Sequence, residues 1–125
     1  MGQAIVKVIA ASAVAAVLGG LALATTVVAQ EKKALSAVDE GKQIAVNRKK
    51  GNCLACHVMG DGALPGNIGP PLVAMKARFP DKNTLSAQIW DAAKKNPNSM
   101  MPPFGRHRVL TQEEVDKVVE YIYTL

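Results

Sequence analysis

The clearest pattern of apolar and polar positions lies at the end of the chain. Val115, Val118, Val119 and Ile122 recur with spacing i, i+3, i+4, i+7, and Tyr121 and Leu125 widen the stripe. That is one face of a helix. Thr111 and Glu114 stand three apart just before it, as a capping box requires. A second periodic stretch, Asp81 to Lys95, places Leu85, Ile89 and Ala92 or Ala93 on one face with Trp90 beside them. Asp81 or Asn83 can cap its start. Lys94 and Lys95 suit the negative end of a helix, and Pro97 stops it. A first helix is predicted from about Ser36 to Lys49. Ser36 and Asp39 form a capping pair, and Gly51 can take the left-handed position that ends it. Gly41 inside this helix costs about 1 kcal/mol relative to alanine, which fits either a second helix that must come close or a helix that starts earlier or later. A short helix over Leu72–Arg78 is predicted before Phe79-Pro80.

Two irregular segments separate these helices. Gly60, Gly62, Pro65, Gly66, Gly69, Pro70 and Pro71 crowd the first, a density incompatible with a long helix or a central strand. The second is Asn96-Pro97-Asn98-Ser99-Met100-Met101-Pro102-Pro103-Phe104-Gly105. No alternating strand pattern of useful length and no internal repeat is present. The expectation is an all-α domain of three to five helices joined by glycine- and proline-rich loops.

The other end of the chain has a different character. Residues Val8–Gln30 carry no charge, follow Lys7, and end in the small-residue run Val27-Val28-Ala29. That is the layout of a secretory signal peptide cleaved after about Ala29. The run is also long enough to span a bilayer, so an uncleaved anchor is the rival. Gly19-Gly20 and Thr25-Thr26 weaken a spanning helix. The predicted division is 1–29 signal peptide and 30–125 domain, exported to the periplasm and without a membrane segment once cleaved. The formal charge of +5 loses Lys7 on cleavage. Lys and Arg form no clustered stripe, so nucleic-acid binding is not implied. Arg48-Lys49-Lys50 and Lys94-Lys95 are solvated faces that can also steer an acidic partner. The domain's only aromatics are Phe79, Trp90, Phe104, Tyr121 and Tyr123. A core so thin needs help, and a covalent cofactor would supply it.

Cys53-Leu54-Ala55-Cys56-His57 supplies the candidate. Two thiols three positions apart, followed by histidine, are the attachment pattern for a c-type haem. A zinc site needs four ligands, and the chain has two cysteines and two histidines, His57 and His107, fifty residues apart. A redox dithiol belongs in a βαβ setting, which is missing, and a plain disulfide leaves the histidine unexplained. His57 then binds iron through one nitrogen, and its other N–H needs an acceptor. The Pro70 carbonyl is the candidate. Met59, Met75, Met100, Met101 and His107 are the candidates for the sixth position. Met59 is too close in sequence to His57, Met75 sits on an apolar turn that suits core packing, and His107 reads as a surface residue. Met101, before Pro102 in a stiff loop, is the choice, with Met100 as packing. A thioether there suggests electron transfer at raised potential. Both cysteines being used, no thiol remains for nucleophilic chemistry, and no catalytic residue is predicted on the chain itself.

The order helix, haem motif, Gly-Pro loop, middle helix, methionine loop, helix resembles the class I c-type cytochromes. That resemblance implies one covalent haem c and first and last helices that cross at Gly41 and Tyr121. It also implies that Pro70 receives the haem histidine and that Met101 is the distal ligand. A narrower resemblance is carried by Arg48–His57, by Pro65-Gly66-Asn67-Ile68-Gly69-Pro70-Pro71-Leu72 and by Asn96–Gly105. These blocks are similar to the SoxX family, the monohaem subunits of SoxAX cytochromes. The resemblance implies a periplasmic heterodimer with SoxA. Such a complex, an L-cysteine S-thiosulfotransferase, oxidatively couples thiosulfate to a cysteine of the carrier SoxYZ. SoxA holds the substrate chemistry, and SoxX accepts the electrons and passes them to a soluble cytochrome c. The alternative is a free-standing monohaem carrier feeding an oxidase or a reaction centre.

Overall fold

The computed structural model describes residues 34–125, so the expected signal peptide and its cleavage point lie outside the described residues. Four α-helices form the frame: α1 Ala37–Val46, α2 Met75–Arg78, α3 Lys82–Trp90 and α4 Gln112–Ile122. Two 3₁₀ turns, Cys53–Ala55 and Ala92–Lys94, complete it. Among the described residues there is no strand, only an isolated bridge between Met59 and Leu72. No described helix is long and apolar enough to cross a membrane.

The helix starts follow the sequence closely. Ser36 Oγ accepts the Asp39 N–H at 3.1 Å and caps α1. Asp81 caps α3 by accepting the Asn83 N–H at 3.0 Å. At α4 the capping box is complete. Thr111 Oγ1 accepts the Glu114 N–H at 3.2 Å, and Glu114 Oε2 accepts the Thr111 N–H at 3.1 Å. Lys50 also pairs with Glu114. That ammonium and the Thr111 N–H together hold the Glu114 carboxyl below its ordinary range.

The helix ends differ from expectation, each for a local reason. α1 stops at Val46 rather than reaching Lys49. The Asn47 side chain accepts the Lys49 N–H at 2.8 Å, and the Asn47 carbonyl takes the N–H groups of Lys50 and Asn52 at 3.0 Å each. A side chain that offers the backbone such a partner competes with helix. The predicted helix over 81–95 breaks at Asp91, whose backbone is extended (φ −157°) and whose side chain starts the 3₁₀ turn by accepting the Ala93 N–H. The helix expected from Leu72 begins only at Met75. Ala74 adopts a left-handed conformation (φ 50°), and its N–H goes to the Leu125 carbonyl at 2.7 Å.

The core is small. Ala45 of α1, Leu85 and Ile89 of α3, and Val115, Val118, Val119, Tyr121 and Ile122 of α4 are buried with Met59, Met75, Phe104 and Leu110. Its organising contact is the crossing of α1 and α4. A Cβ on Gly41 would collide with the Lys117 carbonyl and stand 3.1 Å from Tyr121 Cβ. Lys117 straps the crossing from outside, with its Nζ 2.6 Å from Glu40 and 2.7 Å from Glu113. Such exposed pairs contribute little singly. The apolar contact inside decides the geometry.

In an open helix, Gly41→Ala would stabilise by about 1 kcal/mol. Here the added methyl meets backbone, which cannot swing aside as a side chain can. The expected outcome is net destabilisation by about 1–3 kcal/mol. Chemical denaturation of the haem-loaded protein checks it, and unchanged or raised stability would show that the helices cross elsewhere.

Candidate haem cavity

The Cys53–Ala55 turn starts where α1 has reversed direction. Asn52 takes a left-handed conformation (φ 47°), and the Cys53 carbonyl accepts the N–H groups of Cys56 and His57 at 3.1 and 2.9 Å. This tight turn brings Cys53, Cys56 and His57 to one cavity of about 640 Å³. Burial pushes the Cys53 thiol up to about 11. A thiolate is disfavoured there, whereas a neutral thioether loses nothing by being buried.

His57 is held from behind. Its Nδ1 lies 2.7 Å from the Pro70 carbonyl oxygen. A carbonyl can only accept, so Nδ1 donates here and Nε2 is the ring nitrogen left for another partner. The loop that supplies this oxygen is itself anchored. The Gly69 N–H donates to the Cys56 carbonyl at 2.8 Å, and the Leu72 N–H donates to the Val58 carbonyl at 2.8 Å. A Cβ on Gly69 would stand 2.6 Å from His57 Nδ1 and 2.9 Å from Nε2, so only glycine lets the ring lie against this loop. Arg78, which sequence reasoning missed, adds a bond from Nη1 to the Pro71 carbonyl at 2.7 Å. Nothing in its local sequence marks it for that contact.

Met101 reaches the same cavity from the second loop, half-buried and packed against the core. Its N–H donates to Ser99 Oγ at 3.2 Å. The other candidates fare differently. Met59 is buried in the core and does not line the cavity. Met75 lines it, but its sulfur accepts from Arg78 Nη1 at 3.4 Å. His107 is exposed and lies off the cavity. Met100 corrects an expectation. Packing is the expectation for it, yet it is 79% exposed, while both it and Met101 line the cavity.

The cavity suits a haem. Its volume lies in the usual range for cofactor sites. Leu72, Phe79, Leu85, Ile89, Phe104, Leu110, Val118 and Ile122 give it apolar walls for a flat ring. Arg48, Lys50 and Arg78 stand among its lining residues, and no carboxylate does among the described residues, which suits two propionates. The thiols of Cys53 and Cys56 can hold the ring covalently, and His57 Nε2 and the Met101 sulfur are the donors available to its iron. Without the cofactor, these apolar walls face water. The double variant Cys53→Ser/Cys56→Ser, expressed without attached haem, should lose most of its helical circular dichroism and its cooperative melt. A native-like spectrum and melt would show that the helices carry their own core.

Comparison with known proteins agrees with this architecture. Residues 36–122 match the family described as cytochrome c oxidase, cbb3-type, subunit III. An uncharacterised lipoprotein of Aquifex aeolicus (strain VF5) is 39% identical over 77 residues, 60% of this chain and 37% of that relative. The alignment therefore spans little more than a third of the relative's length. The crystal structure of SoxXA from P. pantotrophus superposes with a TM-score of 0.63 at 25% identity, over 74% of this chain and 83% of that one. The chain belongs to the family described as cytochrome c oxidase, cbb3-type, subunit III, and with its class I cytochrome c fold and covalent haem c it is a SoxX-like monohaem cytochrome.

Proposed function

We propose that this chain is the electron-accepting subunit of an exported SoxAX-type cytochrome. The observation that carries the reading is the convergence of Cys53, Cys56, His57 and Met101 on one apolar cavity, in a chain with no other cysteine. Every thiol is committed to holding the cofactor. None is left to bind or transfer sulfur, so the substrate chemistry belongs to a partner.

Cys53 and Cys56 form the two thioethers. His57 is the proximal ligand through Nε2, with Pro70 as the acceptor that makes the imidazole a stronger donor. Met101 is the distal ligand. When bound, the haem supplies a one-electron couple whose potential is raised by the thioether sulfur. Apolar walls keep water from the ring, and the cations at its mouth offset its propionates.

In the reaction assigned to the complex, thiosulfate and a carrier cysteine thiol form a sulfur–sulfur bond, with loss of one proton and two electrons. This chain takes those electrons one at a time from a SoxA-like subunit and passes them to a soluble cytochrome c. The carrier is SoxYZ-like. Residues 1–29 serve as a leader removed after Ala29, and residues 30–125 work in the periplasm. The Aquifex relative, named a lipoprotein, supports export. A free-standing carrier serving an oxidase is the second reading, favoured by the oxidase subunit in the family's description.

Purification of the native protein separates the two. A second c-type subunit in equal amount, with haem reduction on adding thiosulfate and carrier, is the expected result. A lone monomer that thiosulfate and carrier leave oxidised, but that an oxidase re-oxidises rapidly, would replace this reading with the second. Met101→Ala should abolish the far-red sulfur-to-iron absorption band and lower the reduction potential. Persistence of the band in that variant, or its loss in Met100→Ala instead, would move the ligand assignment.

A further inference from the structure

Asp91 is the one residue of the described core that is both buried and charged, at 4% exposure. Electron transfer gives it no task. Its Oδ1 accepts the Ala93 N–H at 3.2 Å, and its Oδ2 lies 3.1 Å from Arg106 Nε. The residue before Asp91 and the residue before Arg106 meet as well. The Trp90 carbonyl accepts the Gly105 N–H at 3.1 Å and the Arg106 N–H at 3.4 Å. These contacts close a neck between Trp90-Asp91 and Gly105-Arg106.

Everything between the two sides of that neck is the loop carrying Met101. From Ala92 to Met101 its hydrogen bonds stay within itself, whereas the Pro103 and Phe104 carbonyls already accept N–H groups of His107, Val109 and Leu110. The Ser99 N–H donates to the Asn96 carbonyl at 2.9 Å, the Asn98 N–H to Asn96 Oδ1 at 3.1 Å, and the Met101 N–H to Ser99 Oγ at 3.2 Å. Residues 94–98 are exposed, as is Met100. The neck therefore joins to the fold a loop whose stretch from Ala92 to Met101 is not tethered by its own hydrogen bonds. An exposed segment bound mainly to itself opens at low cost unless its ends are held.

We propose that Asp91 and Arg106 are a positioning pair that closes the neck of the 91–106 loop and so keeps the Met101 sulfur in the cavity. The inference rests on Met101 being the distal ligand. A buried carboxylate stripped of its partner is costly, so the neck cannot open while Asp91 stays inside. Charge also makes both of its bonds stronger than neutral ones. Loosening the neck raises the population of a loop-open form, in which the distal position accepts an external ligand. Apparent affinity for that ligand rises in proportion to this population.

The test uses the ferric holoprotein, titrated with imidazole, and follows the far-red sulfur-to-iron band against temperature. Asp91→Asn keeps the shape of the side chain and removes its charge. Arg106→Ala alters a side chain that is 56% exposed, so the core is left alone. Both should bind imidazole at least tenfold more tightly than the parent protein. Both should also lose the far-red band at a lower temperature, while the helical melt moves much less. Arg106→Lys should recover part of the loss. Parental imidazole affinity in both variants, with Met101→Ala still losing the band, overturns the positioning role alone. A band that survives Met101→Ala overturns the ligand assignment and the positioning role with it. An equal fall of band and helical melt shows Asp91 supporting the whole fold and also overturns the proposal.

Discussion

One hydrogen bond governs how this protein presents its histidine. The Pro70 carbonyl accepts a hydrogen bond from His57 Nδ1, and by doing so it leaves Nε2 as the ring nitrogen available to another partner. The surrounding chain serves that contact. Gly69 gives the ring room, the Cys56 and Val58 carbonyls anchor the loop on both flanks, and Arg78 ties the next carbonyl along. Proline at both positions 70 and 71 means that neither residue has an N–H to draw its neighbour's carbonyl elsewhere. The oxygen is left with one use.

Around this contact the helices act as a frame rather than as a core. α1 and α4 cross at Gly41 because backbone meets backbone there. α3 contributes Leu85 and Ile89 to the cavity wall, and the same two residues belong to the buried cluster. Cavity wall and core are therefore largely the same set of side chains. A covalent haem completes that set, which is how a domain with so few aromatics reaches a packed interior.

Much of this was legible in the sequence. Capping pairs at Ser36, Asp81 and Thr111 depend on side chains only a few residues from the amides they bind, so local rules sufficed. Gly41 was legible because its conformational cost needs a tertiary reason. The haem motif was legible because five adjacent residues carry the whole pattern. What escaped was long-range. The helix end at Ala74 depends on a carbonyl fifty-one residues away, at Leu125. The break of the predicted 81–95 helix at Asp91 escaped as well, because the partner of Asp91, Arg106, lies on the far side of the methionine loop. Met100 and Met101 have similar local contexts and both line the cavity, and only the folded loop tells which of them is the exposed one.

That last difference bears on chemical wear. Met100 stands 79% exposed beside a methionine that faces the cavity. Peroxide arriving from solvent meets the outer sulfur first. A sulfoxide at Met100 adds a polar oxygen to a side chain already exposed to solvent. The same oxidation at Met101 would spoil the sulfur that the cavity holds. The two adjacent methionines thus differ in how readily an oxidant from solvent reaches them.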